Sequence, residues 1–332
     1  MSRYASAHAN PQGPGDARPT ALQIIKDEAV EGKLVGKVIV ITGVSSGIGI
    51  ETVRALSQTG ATMYLTARDL AKAKSALADF FDPSRMFLVK MDQGSLDSVR
   101  SAAKDILAKT DKINILVNNA GIMAVQNLEF TQDGHELQFG TNHLSHFLFF
   151  KLLKPALLAA VTPELSSRVV NLSSTAHTMS GLNTSDNYNY QQGGYTPWGA
   201  YGQSKTANIY MANEIERRYG SQGIHATSLH PGGILTPLAK HLPEEVLKQM
   251  ATNEQTAKEL KSPQQGAATT VWAAVSKELE HTGGRYLADC AVAELSPDES
   301  AGPATIGHAK HAYDAGNEAR LWEDSLKLVG LA

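Results

Sequence analysis

An apolar run, Val38–Thr42, passes directly into Gly43-Val44-Ser45-Ser46-Gly47-Ile48-Gly49, and a helix-patterned stretch, IETVRALSQTG, follows without a gap. Few folds send a buried strand into a helix through three glycines. Gly43 permits a tight turn, Gly47 lets the backbone come close to a ligand, and Gly49 lets the helix pack closely on the strand. The first turn of that helix offers unpaired N–H groups and a partial positive charge, which suit a pyrophosphate. The spacing is GxxxGxG rather than the GxGxxG of the familiar dinucleotide fingerprint. A turn with no ligand would use the same glycines. The place between first strand and first helix favours the phosphate-binding reading, with Ser45, Ser46 and Ile48 completing the loop.

Strand–helix alternation continues along the chain. Strand-like runs fall at Thr62–Thr66, Met86–Lys90, Ile113–Val117, Arg168–Leu172 and His225–Leu229. Between them lie apolar residues at helical spacing, such as Val99, Ala102, Ala103 and Ile106. Strands joined by crossover helices predict an α/β fold, a doubly wound parallel sheet covered on both faces. No interdomain linker follows residue 33, so a single dinucleotide-binding catalytic domain is expected over residues 20–332. Residues 1–19, rich in Pro, Gly, Ala and Asn, read as a flexible N-terminal tail. Residues 20–32 read as a short helix ending near Gly32.

A formal net charge of −3 argues against nucleic acid as a partner. The most apolar stretch, Phe147 to Val161, is broken by Lys151, Lys154 and Pro155, so it reads as a buried helix and no membrane span is expected. The N-terminus lacks the apolar core of a secretory signal. The single cysteine, Cys290, allows no internal disulfide and fits a reducing compartment, so a soluble cytoplasmic protein is expected. The 11 histidines show no metal-ligand spacing; no metal is expected, and His143, His146 and His230 read as packed or surface residues.

Ligands of a doubly wound sheet bind at the carboxyl ends of its strands. The second strand ends Leu65-Thr66-Ala67-Arg68-Asp69. An acid there favours a ribose 2′-hydroxyl and an arginine a 2′-phosphate, so Arg68 points to NADP(H). Alternatively Arg68 is only solvated, and Asp69 caps the next helix or serves the ribose. Asp92 either contacts adenine or begins a turn. The fourth strand ends Asn118-Asn119-Ala120-Gly121. The fifth ends Ser173-Ser174, where a hydroxyl could bind a substrate oxygen as charge develops, or simply form a turn. Of the ten tyrosines only Tyr201 has a lysine four residues on, Lys205. The pair shares one helix face. Its ammonium favours the phenolate, lowering the tyrosine pKa from its usual value of about 10. The helix N-terminus that Tyr201 opens pushes the same way.

TGVSSGIG, NNAG, Ser173-Ser174, YGQSK and Pro231-Gly232-Gly233-Ile234-Leu235-Thr236 occur in this order at matching strand ends. Together they resemble the short-chain dehydrogenase/reductase family, over about residues 36 to 290. NHLSHFLFF, the long gap from Ser174 to Tyr201, and GGRYLADC look most like the branch with retinol dehydrogenases and the WW-domain oxidoreductase. The resemblance implies a Rossmann-type fold and nicotinamide chemistry. It implies Tyr201 as acid/base, with Lys205 lowering its pKa and holding the nicotinamide ribose. Ser174, rather than Ser173, would orient the substrate oxygen, and Asn142 would hold a water linking Lys205 to solvent. Ile48 and Asn119 match cofactor-contacting positions; Ile234 and Thr236 match residues at the carboxamide or phosphates. Residues 237–262 stand where the family has its substrate lid. Tyr188, Tyr190, Tyr195 and Trp198 either line an apolar pocket or pack the insertion. The N-terminal extension lacks the membrane anchor common among retinol-active relatives, which weakens a retinoid assignment.

The expected activity is NADP(H)-dependent reduction of a ketone or aldehyde, or oxidation of the matching alcohol. The substrate is expected to be a small, apolar molecule, and a homo-oligomer is compatible with the sequence. Two other readings use the same fold: an epimerase or dehydratase with a retained cofactor, and a cofactor-sensing interaction protein. Loss of Tyr201, Lys205 or Ser174 would have supported the last, and all three are present.

Overall fold

The computed structural model describes residues 2–242, 244–296 and 307–332. Met1 of the expected tail, Pro243 of the expected lid, and residues 297–306 of the expected domain lie outside the described residues. One sheet holds β1 Val38–Thr42, β2 Thr62–Ala67, β3 Met86–Lys90, β4 Ile115–Asn118, β5 Ser167–Leu172, β6 Ile224–His230, β7 Arg285–Ala288 and β8 Ala291–Val292. Their order is β3-β2-β1-β4-β5-β6-β7-β8. Every pairing is parallel except β7 with β8. The winding reverses between β1 and β4, where Ile39 lies opposite Ile115, and a doubly wound sheet binds its ligands beyond the carboxyl ends of the strands at that point. The fold is the doubly wound Rossmann type.

The helices, in chain order, are α1 Ala5–His8, α2 Ala21–Asp27, α3 Ile48–Ser57, α4 Leu70–Leu77, α5 Leu96–Leu107, α6 Leu137–Phe139 and α7 Ser145–Ala160. Then come α8 Pro197–Tyr219, α9 Glu244–Thr252, α10 Glu254–Glu259, α11 Pro263–Gly266, α12 Ala268–Val275 and α13 Ala315–Leu328. Alternate strand residues feed two cores. Ile39 and Ile41 of β1 pack with Ile24 of α2, Leu56 of α3 and Trp272 of α12. Val38 and Val40 pack with Ile106 of α5, Phe147 of α7 and Tyr210 of α8. Burial on both faces is why the central strands read as continuous apolar runs. Each such large side chain contributes about 1.5–3 kcal/mol when fully buried.

The stretch from Phe147 is indeed a buried helix, and no helix of the described residues is long and apolar enough to cross a membrane. The helix expected over 20–32 is shorter. Thr20 caps its start, and Ala29, with φ 54°, turns the chain out after Asp27. Residues 2–19 also differ from the flexible tail that their composition suggests, because they pack on the body. Tyr4 is buried and donates its hydroxyl to Asp27 at 3.0 Å. Arg18 is buried and binds backbone about 240 residues away. Composition carries no trace of partners so distant in sequence.

Candidate active site

The glycine loop ends at Gly47, the N-cap of α3, with φ 62° and ψ −146°, a conformation that favours glycine. No side chain caps this helix end, which leaves its first N–H groups for a ligand. A Cβ on Gly49 would stand 2.3 Å from the Gly43 carbonyl oxygen and 2.8 Å from Asn119 Nδ2. Gly49 is therefore required by contact with the loop itself. Asn119 braces that loop: Nδ2 donates to the carbonyls of Thr42 at 2.8 Å and Gly43 at 3.1 Å. Ser45 and Ser46 are half-buried within it. Ile48 and Ile234 both reach Gly266, and Thr236 lies against Gly47, so the segment after β6 closes on the loop.

Arg68 is exposed directly after β2. Gly43 and Val44 donate their N–H groups to Thr66, which brings the β2 end beside the glycine loop. Asp69 caps α4, accepting from the Lys72 N–H at 2.9 Å. Asp92 begins a turn, its Oδ1 accepting from the Gly94 N–H at 2.9 Å.

The two serines after β5 have different surroundings. Ser173 donates to the Lys205 carbonyl at 2.8 Å in the interior. Ser174 accepts from the Ala176 N–H at 3.1 Å, and its hydroxyl is near enough to the Tyr201 phenol to pull that group's pKa down. Tyr201 and Lys205 lie one turn apart on α8, each buried. Lys205 Nζ is 5.4 Å from the centre of the Tyr201 ring and donates to the Leu172 carbonyl at 3.0 Å. Asn142 sits in a π-turn, Gly140–Leu144, just before α7; such bulges often mark functional sites. Its side chain accepts from the Ile122 N–H at 2.9 Å and donates to Ser204 Oγ at 2.9 Å. A Cβ on Gly121 would lie 3.1 Å from Asn142 Oδ1 and 3.6 Å from Lys205 Nζ. Ser174, Tyr201, Lys205 and Asn142 thus converge on one place.

The electrostatics differ from the sequence expectation. Burial pushes the Tyr201 phenol up to about 12, with the Ser174 hydroxyl pulling the other way. Burial also brings Lys205 down to about 8. The phenol stays above its ordinary value because its burial outweighs the ammonium, which is turned to the Leu172 carbonyl. Nor does Tyr201 open its helix. α8 starts at Pro197 under a Thr196 cap, and a helix-end charge fades within the first turn.

Two histidines hold this arrangement, and the sequence reading gave neither a role. His146 is buried, with Nδ1 3.0 Å from the Asn142 carbonyl and Nε2 2.9 Å from Thr42 Oγ1. Thr42 Oγ1 already accepts N–H groups from Asn119 and Ala120, so it donates to Nε2 and the ring proton sits on Nδ1. His177 Nδ1 lies 2.6 Å from the Ser174 carbonyl, and the Ala309 N–H donates to its Nε2 at 3.0 Å. Spacing was the available signal: His146 follows Asn142 by one helical turn, and His177 follows Ser174 by three residues. His143 is buried as well, and His230 is half-buried. In the long insertion, Tyr188 stacks on Phe139 at 5.1 Å and Tyr190 is buried, so these pack the insertion. Tyr195 donates to the Val125 carbonyl at 2.7 Å, while Trp198 meets the Tyr201 ring edge-on at 6.0 Å.

Residues 37–247 match the family model described as short chain dehydrogenase. The chain belongs to the short-chain dehydrogenase family of oxidoreductases. Short-chain dehydrogenase/reductase prx1 of Penicillium roqueforti is 50% identical over 330 residues, covering 99% of this chain and 96% of that protein. Retinol dehydrogenase 12 of Mus musculus is 34% identical over 299 residues, covering 89% and 87% respectively, which agrees with the branch resemblance. An uncharacterized protein from Mycobacterium paratuberculosis has a solved structure with TM-score 0.66 and 32% identity, covering 89% of this chain and 94% of that one.

Proposed function

We propose that this chain is an NADP(H)-dependent oxidoreductase that interconverts an apolar ketone or aldehyde with the matching alcohol. The observation that carries this reading is the convergence of Ser174 and Asn142 with Tyr201 and Lys205 beyond the carboxyl end of β5, where the buried Lys205 Nζ lies 5.4 Å from the Tyr201 ring centre. A dinucleotide fits the neighbouring loop, since no side chain caps α3 and its first N–H groups are left for a phosphate. NADP(H) bound there would supply the hydride. Gly43, Ser45, Ser46, Gly47, Ile48 and Gly49 would hold its pyrophosphate, Arg68 its 2′-phosphate and Asp92 its adenine. Asn119, Tyr201, Lys205, Ile234 and Thr236 would line the nicotinamide half.

In the reducing direction, the Ser174 and Tyr201 hydroxyls orient the carbonyl oxygen. Tyr201 then gives its proton to that oxygen as the alcohol forms. A phenol pushed up to about 12 is fully protonated at neutral pH and so is loaded as a donor. The Lys205 ammonium stabilises the phenolate left behind, and Asn142, beside it, serves the return of the proton. Oxidation of the alcohol runs these steps backwards. Exposed Met179, Leu235 and Leu238 lie on the segments that follow Ser174 and β6, in keeping with an apolar substrate. The buried free thiol of Cys290 is in keeping with a reducing, cytoplasmic setting.

NADPH oxidation measured against a panel of aldehydes and ketones tests the proposal. Turnover on apolar members, lost in Tyr201→Phe, is expected. A copurified cofactor that never turns over on any carbonyl would overturn it in favour of an epimerase or dehydratase.

A further inference from the structure

The last carbonyls of α10 would end without helical partners, yet they are bound. Arg18 reaches them from the N-terminal arm: Nη1 donates to the Glu259 carbonyl at 2.8 Å, and Nη2 to the carbonyls of Leu260 at 2.6 Å and Lys258 at 3.3 Å. The same guanidinium donates to the Gly13 carbonyl at 3.1 Å and, through Nε, to Asp16 Oδ1 at 2.8 Å. Its side chain is 3% exposed. Positive charge at a helix C-terminus is favourable, and only a planar fork of five donors can serve this many acceptors.

Gln265 forms a second clasp. Its Oε1 accepts the N–H groups of Gly15 at 2.9 Å and Ser262 at 3.0 Å, while Nε2 donates to Asp16 Oδ1 at 2.9 Å and the Arg18 carbonyl at 3.1 Å. Gly13 adds an N–H bond to the Lys258 carbonyl at 2.9 Å. Residues 13–18 therefore grip residues 258–265 from both sides. That gripped segment in turn carries the loop after β6. The Lys261 N–H donates to the Gly233 carbonyl at 2.8 Å, and its ammonium pairs with Asp289 at 2.6 Å. Ile234 rests where Gly266 leaves it space.

We propose that Arg18 is a positioning residue: it straps the N-terminal arm to the end of the lid, and this strap sets how tightly the enzyme holds its nicotinamide cofactor. The inference rests on the reading of residues 237–262 as the lid and of Ile234 and Thr236 as cofactor contacts. A buried ion pair contributes little stability beyond what packed apolar residues would give. What Arg18 and Asp16 add is geometry, a fixed distance between the arm and the base of the lid.

Arg18→Ala and Arg18→Lys decide the matter, with NADPH and NADH each titrated by fluorescence and hydrogen exchange followed by mass spectrometry. Arg18→Ala should weaken both nucleotides by a similar factor, about tenfold, within the roughly 5–150-fold typical of coupled sites. Exchange should quicken across residues 244–261 while β1 to β6 stay protected, which separates a loosened lid from an unfolded chain. Arg18→Lys keeps the charge without the fork and should fall between. Unchanged exchange in the lid overturns the strap. Faster lid exchange with both affinities unchanged overturns its link to the cofactor. A wild-type preference for NADH would contradict the Arg68 assignment alone, because this comparison uses both nucleotides.

Discussion

Burial holds the Lys205 ammonium down at about 8 and the Tyr201 phenol up at about 12, and the two shifts have separate consequences. In the proposed reduction the charged lysine would stabilise the phenolate that proton transfer creates. The rate of carbonyl reduction should therefore decline as pH rises through about 8, where that charge is lost. A profile flat to pH 10 would show that the ammonium has no part in the step. Stability moves the other way. Below pH 8 folded and unfolded chains both keep the lysine protonated, and the folded state bears the whole cost of the buried charge. Between about 8 and the ordinary lysine value of about 10.4 the unfolded chain binds the extra proton, so the contribution of this residue to stability rises with pH. Lys205→Met lacks that dependence. From pH 7 to pH 10 the unfolding free energy of wild type should gain about 3 kcal/mol relative to the variant; denaturant midpoints giving a constant difference would contradict this. Arg68 is the third residue with a separable effect. Arg68→Ala should weaken NADPH by about 1.5–3 kcal/mol, roughly ten- to a hundredfold, and leave NADH nearly unchanged. Measuring kcat/KM with both cofactors before and after the substitution checks it, and a wild type that prefers NADH would sink it.

Among the elements, the central strands β1, β2, β4 and β5 are legible because burial on both faces makes them largely apolar runs, while β3 at the edge and β6 show as shorter apolar or small-residue stretches between helical patterns. β7 was missed: Arg285–Ala288 is four residues long, begins with an exposed arginine and follows two glycines. The π-turn at Gly140–Leu144 was invisible for another reason. It adds a residue within a stretch that is buried on all sides, so no amphipathic period exists for it to interrupt. The start of α8 was placed a turn late because its cap, Thr196, precedes Pro197 inside an insertion that reads as loop. The glycine loop has the sharpest elemental test. Gly49→Ala would drive a Cβ against the Gly43 carbonyl, so α3 must move away from the loop it follows. Such overpacking typically costs about 1–3 kcal/mol. A lower melting temperature together with a large loss of NADPH affinity is expected; an unchanged affinity would show that the loop does not hold the pyrophosphate.

For the molecule as a whole, most of the candidate site was readable from motifs at strand ends, since a doubly wound sheet gathers those ends at one edge. What escaped was whatever depends on distant pairing. His146 and His177 gain their roles only when the fold brings Thr42 and Ala309 to them. The N-terminal arm looked loose because its partners, Gln265 and the end of α10, follow it by most of the chain. The most direct measurement of the central claim uses NADPH carrying deuterium at the transferable position of C4, with an aldehyde or ketone that wild type turns over. Mass spectrometry of the alcohol should find the deuterium on the former carbonyl carbon, while Tyr201→Phe, binding NADPH nearly as well, forms little labelled product. Undiminished labelling by Tyr201→Phe, or an alcohol formed without deuterium, would contradict hydride transfer with Tyr201 as the proton donor.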